Sequence, residues 1–217
     1  MNATPDLVVP FLRHVTYSTP LSEIRTAIAS LQPVVLAEVS WDTFPYKPEV
    51  SFVIAHTPDS IILRFNVREK HIRAVYRNTK DPVYKDSCVE FFLSFDEKHY
   101  YNLEFNCMGT GLTGYGPADR DQRERLPAYL IEKVLTDSVI NTPASPAADT
   151  SWELLLHIPF ELFYLENLTA LSGEYATANF YKCGDELPEP HYVSWKKIGV
   201  PNPDFHRPEF FGTLLFE

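Results

Sequence analysis

Cys88-Val89-Glu90-Phe91-Phe92-Leu93-Ser94-Phe95 and Tyr100-Tyr101-Asn102-Leu103-Glu104-Phe105-Asn106, parted by Asp96-Glu97-Lys98-His99, decide the fold class. Both runs are rich in aromatic residues, and the polar stretch between them reads as the loop of a hairpin. Strand alternation puts Asn102, Glu104 and Asn106 on one face of the second run and Tyr101, Leu103 and Phe105 on the other.

Outward from this pair, further strand-like runs are Val34 to Trp41, Ser51 to His56, Ser60 to Val67, Tyr129 to Leu135, Trp152 to Ile158, Tyr175 to Tyr181 and Phe210 to Phe216. Thr57-Pro58-Asp59-Ser60 has proline where a type I turn favours it, which predicts a second hairpin. The helix signals are few. Thr19 suits an N-cap, Pro20 the first helical position, and Leu21, Ile24, Ile28 and Leu31 then share one face. A short helical turn is also expected at Phe160 to Tyr164. Gly109 to Gly116 reads as a loop with positive φ angles at a strand end, and Asn141 to Asp149 as a surface loop. Many short strands with little helix predict an all-β, two-sheet antiparallel β-sandwich, immunoglobulin-like or jelly-roll-like, with one or two short helices. Residues 1–217 are expected to form one domain, with 1–33 an N-terminal extension whose short helix packs on it.

Composition agrees with that class, because 15 Phe, 12 Tyr and 3 Trp accompany 18 Pro and only 8 Gly. The 19 Lys and Arg against 29 Asp and Glu give a net charge of −10 with no basic run, which argues against nucleic acid as a partner. No apolar stretch approaches the roughly 20 residues of a membrane-spanning helix. Three cysteines, Cys88, Cys107 and Cys183, show no C-x-x-C spacing and indicate neither a disulfide framework nor a cysteine zinc site. The start, Met1 to Asp6, lacks the cations and apolar core of a secretory signal, so a cytoplasmic location is expected unless a leader has been removed.

The glycine-rich stretch lacks the G-K-[ST] ending of a phosphate cradle, and the histidines at 14, 56, 71, 99, 157, 191 and 206 show no H-E-x-x-H or H-x-H pattern. Glu90 and Glu104 lie on adjacent predicted strands, a separation that a carboxylate pair acting on a glycosidic bond could use. The most informative segments are 181–195 and 203–212, which mix aromatic and polar residues outside regular strands. Such a mixture suits a sugar, whose C–H face stacks on an aromatic ring while Glu, Asn, Arg and His bond its hydroxyls. The structural alternative is that Trp195 and Phe205 cover a sheet edge.

Asp86-Ser87-Cys88-Val89-Glu90-Phe91-Phe92-Leu93, the Tyr100 to Asn106 strand, Trp152-Glu153-Leu154 with Ile158-Pro159, Val193-Ser194-Trp195 and Phe205-His206-Arg207-Pro208-Glu209-Phe210-Phe211-Gly212 occur in a consistent order. From about Val34 to Glu217 this set resembles the family 9 carbohydrate-binding modules, and most nearly a stand-alone bacterial branch of them. The resemblance implies an antiparallel sandwich that binds an oligo- or polysaccharide without cleaving it and serves glycan breakdown, attached to or encoded beside a glycan-degrading enzyme. It also implies a sugar clamped between two rings, at the places held here by Tyr84 and Phe205. The strand glutamate maps onto Glu90, and a hydrogen-bonding arginine maps onto Glu104. Both rings are tryptophan and the last position is arginine in well-known binders, so this chain offers smaller stacking faces and reverses one charge.

The resulting set of expected sugar contacts is Tyr84, Trp195 and Phe205 as rings and Glu90, Glu104, Asn106, His206 and Arg207 as polar groups, with no catalytic residue. Phe205→Ala is expected to abolish glycan retention with little change in melting. Two alternatives stand beside this reading: a glycoside hydrolase or accessory subunit using Glu90 or Glu104, and a protein-interaction sandwich whose loops meet a partner. Some relatives carry structural calcium, and the acidic composition leaves that option open.

Overall fold

The computed structural model describes residues 4–145 and 148–217. Among the described residues fourteen strands form in chain order: β1 (Leu7–Val9), β2 (Val34–Val35), β3 (Glu38–Val39), β4 (Glu49–His56), β5 (Ser60–Glu69), β6 (Cys88–Ser94) and β7 (Tyr100–Asn106), then β8 (Gly111–Gly116), β9 (Glu124–Arg125), β10 (Leu135–Asn141), β11 (Thr150–Pro159), β12 (Tyr175–Cys183), β13 (Tyr192–Ser194) and β14 (Gly212–Phe216). They make two sheets. One has nine strands along the path β1-β14-β12-β6-β7-β8-β9, with β13 and β3 attached beside β12, and the other has the order β10-β11-β5-β4-β2.

The expected sandwich is present, antiparallel at every pairing except one. β1 runs parallel to β14, so the N-terminal segment enters the larger sheet as an edge strand. The hairpin of β6 and β7 forms in the expected phase, with Glu90 opposite Glu104 and Phe91 opposite Leu103. Val89, Phe91, Leu93, Tyr101, Leu103 and Phe105 point inward with Phe52, Phe65, Trp152 and Leu154 of the smaller sheet, so one alternating set from each sheet fills the core. At its centre Phe180 stacks on Phe52 at 3.8 Å and on Phe91 at 4.9 Å between ring centroids.

One ionic cluster lies inside this core. Lys182 Nζ sits 2.9 Å from Glu69 Oε2, both side chains fully buried, and the Trp152 indole donates to Glu69 Oε1 at 2.7 Å. Lys182 also donates to the Cys183 carbonyl and lies 2.8 Å from His191 Nε2. Burial, with Lys182 adding to it, pushes His191 down to about 3, so the imidazole is neutral and can accept from the ammonium.

Several local expectations change. The first helix spans Leu21–Ala27 (α1), but Thr19 does not cap it. Its hydroxyl accepts instead from the Thr16 amide, and Pro20 takes the cap position. Ile24 and Ile28 bury themselves against Val53, Ile62 and Leu155 on the outer face of the smaller sheet. Val34 to Trp41 is not one strand, because β2 joins the smaller sheet and β3 the larger. Tyr129 to Leu135 opens in a short helix, Ala128–Ile131 (α2), since Pro127 presets the first turn, then turns through 132–134, and the strand begins only at Leu135. Phe160–Phe163 forms the expected helical turn.

The Gly109 to Gly116 stretch is largely strand β8, with positive φ confined to Gly109 and Gly116. Its interior glycines serve close approach: a Cβ on Gly114 would stand 2.8 Å from Asn102 Oδ1, and one on Gly111 2.5 Å from the Phe105 ring. Of the loop read at 141–149, Asn141 is the last residue of β10 and the other described residues lie outside regular strands, while Pro146 and Ala147 lie outside the described residues.

Candidate functional site

The outer face of the larger sheet is not open to water. Trp41, Val83, Cys88, Phe92, Tyr100, Leu112, Tyr181, Cys183, Ile198 and Phe205 form a second apolar cluster there, supplied partly by loops folded over the strands. Alternation that carries polar residues outward on β6 and β7 therefore carries Glu90 and Glu104 under this cover, where they are only 4% and 5% exposed.

A cavity of about 290 Å³ remains between the sheet and the loops, lined by Tyr84, Glu90, Glu104, Arg120, Cys183, Asp185, Tyr192, Pro203, Asp204, Phe205 and His206. Tyr84 reaches it from a 3-10 turn, Val83–Lys85, whose end is held by Asp86. That fully buried carboxylate pairs with Arg73 and accepts from the Val75 and Tyr76 amides and from Asn106 Nδ2, so the chain before β6 is tied to the sheet. The loop after β12 docks on the same turn, the Asp185 amide donating to the Tyr84 carbonyl at 3.2 Å.

Phe205 and His206 come from the segment before β14. The Phe205 ring stacks on Tyr181 at 4.1 Å with 12° between planes, and the Tyr181 hydroxyl donates to the Phe205 carbonyl. The ring is only 8% exposed, so it is wall and core at once. With that burial Phe205→Ala is expected to lower the melting curve, where the sequence alone suggested little change. His206 Nδ1 shares a 2.8 Å hydrogen bond with the Tyr100 hydroxyl. Burial, reinforced by Arg123 and Arg120, pushes His206 down to about 3 and leaves it neutral.

The two glutamates are cross-strand partners with few donors to satisfy them. Glu90 Oε1 accepts from the Cys183 thiol at 3.1 Å, and Glu104 Oε1 from Asn102 Nδ2 at 2.8 Å. Glu104 Oε2 is buried with no hydrogen-bond partner. Burial, with Glu104 next to it, raises Glu90 well above the carboxylate range. Burial and then Asp185 push Glu104 up to about 7 against the pull of the Asn102 hydrogen bond. Burial lifts Asp185 to about 6 despite the Tyr192 hydroxyl. Asp204 differs. Burial pushes it up, but Arg120 at 2.6 Å overrides that and holds its carboxyl below the usual range.

Of the expected contacts, Tyr84, Glu90, Glu104, Phe205 and His206 are brought together here. Three are not. Asn106 is fully buried and completely bonded, its amide to the Tyr76 carbonyl and Asp86 and its oxygen to the Met108 and Thr110 amides. Trp195 packs edge-on to Phe180 and Phe52 of the inter-sheet core under the Lys196 ammonium, which fits the alternative reading of it as cover. Arg207 pairs with Asp204 at 3.0 Å and Glu209 at 3.7 Å and braces the loop from outside. Sequence reasoning missed Arg120, Cys183, Asp185, Tyr192 and Asp204. All but Arg120 lie in the two segments singled out for their aromatic and polar mixture, and only folding shows which of their side chains turn inward.

Among the described residues, one group of three His, Cys, Asp or Glu donors lies within 4.8 Å of one another, namely Cys88, Glu90 and Cys183. Two thiols do not suit calcium, which takes oxygen ligands. No helix among the described residues is long and apolar enough to cross a membrane.

The sequence profile of carbohydrate-binding family 9 matches residues 23–216. The chain belongs to carbohydrate-binding family 9. A crystal structure of a candidate carbohydrate-binding protein from Bacteroides uniformis is 35% identical, covers 97% of this chain and 98% of its own, and superimposes with a TM-score of 0.86. Two solved family 9 modules from Caldicellulosiruptor kristjanssonii share the fold at far lower identity. One, in complex with cellotriose, has 9% identity, a TM-score of 0.59 and coverage of 97% of this chain and 93% of its own. The other, in complex with glucose, has 10%, 0.54, and coverage of 97% and 95%. No curated protein matches this family 9 chain.

Proposed function

We propose that the cavity over β6 and β7 binds the end of an oligo- or polysaccharide without cleaving it. The observation that carries this reading is the convergence, from five separate stretches of chain, of two half-buried tyrosine rings and several acceptor side chains on one cavity of about 290 Å³. Tyr84 supplies a stacking face. Glu90, Glu104 and Asp185 supply acceptors for hydroxyl protons, and Arg120 and the neutral His206 complete the rim. Apolar wall with a few convergent polar groups is the general pattern of small-ligand sites, and this volume is at the lower limit of their roughly 300–1,000 Å³ range. It suits a terminal unit better than a long run of polymer.

The hydrolase alternative meets a geometric objection. Glycosidases place their two carboxylates on either side of the scissile bond. Glu90 and Glu104 stand side by side on one sheet face and approach a ligand from the same direction. Family membership, and the sugars carried by the Caldicellulosiruptor modules, support the binding reading. Such a binder would act beside a glycan-degrading enzyme by holding substrate near it.

The test is a glycan array of gluco- and xylo-oligosaccharides and host-type glycans, with and without calcium, run on the wild type, Tyr84→Ala and Glu90→Gln. Retention of at least one glycan by the wild type, lost in both variants while they remain folded, is expected. Retention unaffected by either change would place binding elsewhere. Absence of any retention by folded protein would favour a protein partner.

A further inference from the structure

Glu90 and Glu104 are like charges directly opposite each other on neighbouring strands, an arrangement that destabilises a sheet. Nothing in the described chain neutralises them. Arg120 is taken by Asp204, and Arg123 is bonded to Asn102 and to the carbonyls of Tyr100, Gly116 and Pro117. Lys182 projects to the other face of the sheet, onto Glu69. The one contact made by Glu90 is with a thiol, a weak donor. Glu104 lines the cavity at only 5% exposure, and its Oε2 has no donor at all. Asp185 adds a further carboxylate to the same wall, beside Asp204, whose charge Arg120 and Arg207 already meet.

We infer that the ligand of this cavity is a sugar bearing a free primary amine, a 2-amino-2-deoxyhexose unit, whose ammonium is received by Glu90 and Glu104. This rests on the sugar-binding reading and names the class of sugar. An ammonium brings up to three donors and a positive charge to a place that holds surplus acceptors and negative charge, whereas a neutral hydroxyl brings one donor and no charge. A uronate brings a further anion and is excluded by the same wall. A single metal ion fits less well, because Glu90, Glu104, Asp185 and Asp204 are not gathered into one set of ligand atoms. The only three-donor group within 4.8 Å among the described residues includes two thiols and neither Glu104 nor Asp185.

The experiment is titration calorimetry of the full chain with glucosamine, glucose, N-acetylglucosamine and glucuronate at about pH 7, where a primary amine is largely protonated. Glucosamine is expected to bind about tenfold more tightly than glucose, the usual gap between charge-assisted and neutral hydrogen bonds. N-acetylation, which removes the charge, returns affinity to the glucose level or below, and glucuronate gives no saturable heat. In Glu104→Gln the ratio of glucosamine to glucose affinity falls below about threefold, and circular dichroism confirms that the variant is folded. Glucose binding as tightly as glucosamine to the wild type would overturn the amine preference and leave the sugar site standing. Failure of all four sugars and of every array glycan to bind folded protein would overturn both.

Discussion

Glu104→Gln should make the unliganded protein more stable, and by an amount that depends on pH. In the folded chain Glu104 titrates at about 7, against an ordinary value of 4.5, mainly because burial penalises its charge. Between about pH 4.5 and pH 7 the folded protein therefore holds a proton that the unfolded chain has released, so stability falls as pH rises through that window. Each pH unit between the folded and unfolded titrations is worth about 1.4 kcal/mol, which makes the loss about 3 kcal/mol above pH 7. Glutamine keeps the acceptor for Asn102 and removes both the buried charge and its repulsion of Glu90. The gain therefore belongs to the coupled pair. For a chain of this size about 3 kcal/mol moves Tm by roughly 6–12 °C. Scanning calorimetry of wild type and variant at about pH 5, 6, 7 and 8 without sugar should show melting temperatures that lie close at pH 5, separate up to about pH 7 and level off by pH 8. A variant no more stable than wild type at pH 8, or a gap that does not change with pH, would refute the placement of this carboxylate in a dry, uncompensated environment. Acids held against the stability of the fold are what a ligand site requires, and that is why this measurement bears on function.

Other outcomes follow from the same contacts. Phe205→Ala should lower stability by about 3–5 kcal/mol, measured by denaturant melts, since it removes a buried ring stacked on Tyr181; a change under about 1 kcal/mol would show the ring to be a free platform. Tyr84→Ala should abolish glycan retention with a stability change of about 1 kcal/mol or less, because the turn carrying it is held by backbone contacts and Asp86. Lys182→Met should cost about 3–5 kcal/mol by leaving Glu69 unpaired in the core, and adding Glu69→Leu should restore most of it. Thermal melts of the two variants check that, and an additive pair of losses would count against the pairing.

The sandwich and the hairpin at its centre were readable because period-two alternation runs from Tyr101 to Asn106 on β7 and, through the pairing with β6, fixes which residues share a face. The same alternation placed Glu90 and Glu104 on one side together. It could not say that this side is covered, because the cover comes from Trp41, Val83, Ile198 and Phe205, remote loop residues whose packing leaves no periodic trace. Burial in turn decides the chemistry: the carboxylates are perturbed because the loops exclude water from them, and Phe205 is half core for the same reason. Trp195 looked like a platform from its neighbours in sequence, yet the register of β13 on β12 turns it toward Phe180. Tyr129 misled in the opposite sense, since its aromatic, β-like surroundings were overruled by the helix start set at Pro127.

The central claim is that a sugar occupies the cavity over β6 and β7, and the most direct test is a crystal structure with the best-retained glycan bound. The account predicts a terminal sugar stacked on Tyr84, with hydroxyl or amine donors on Glu90 and Glu104. A glycan seated instead on the outer face of the smaller sheet, with the Tyr84 cavity empty, would contradict it.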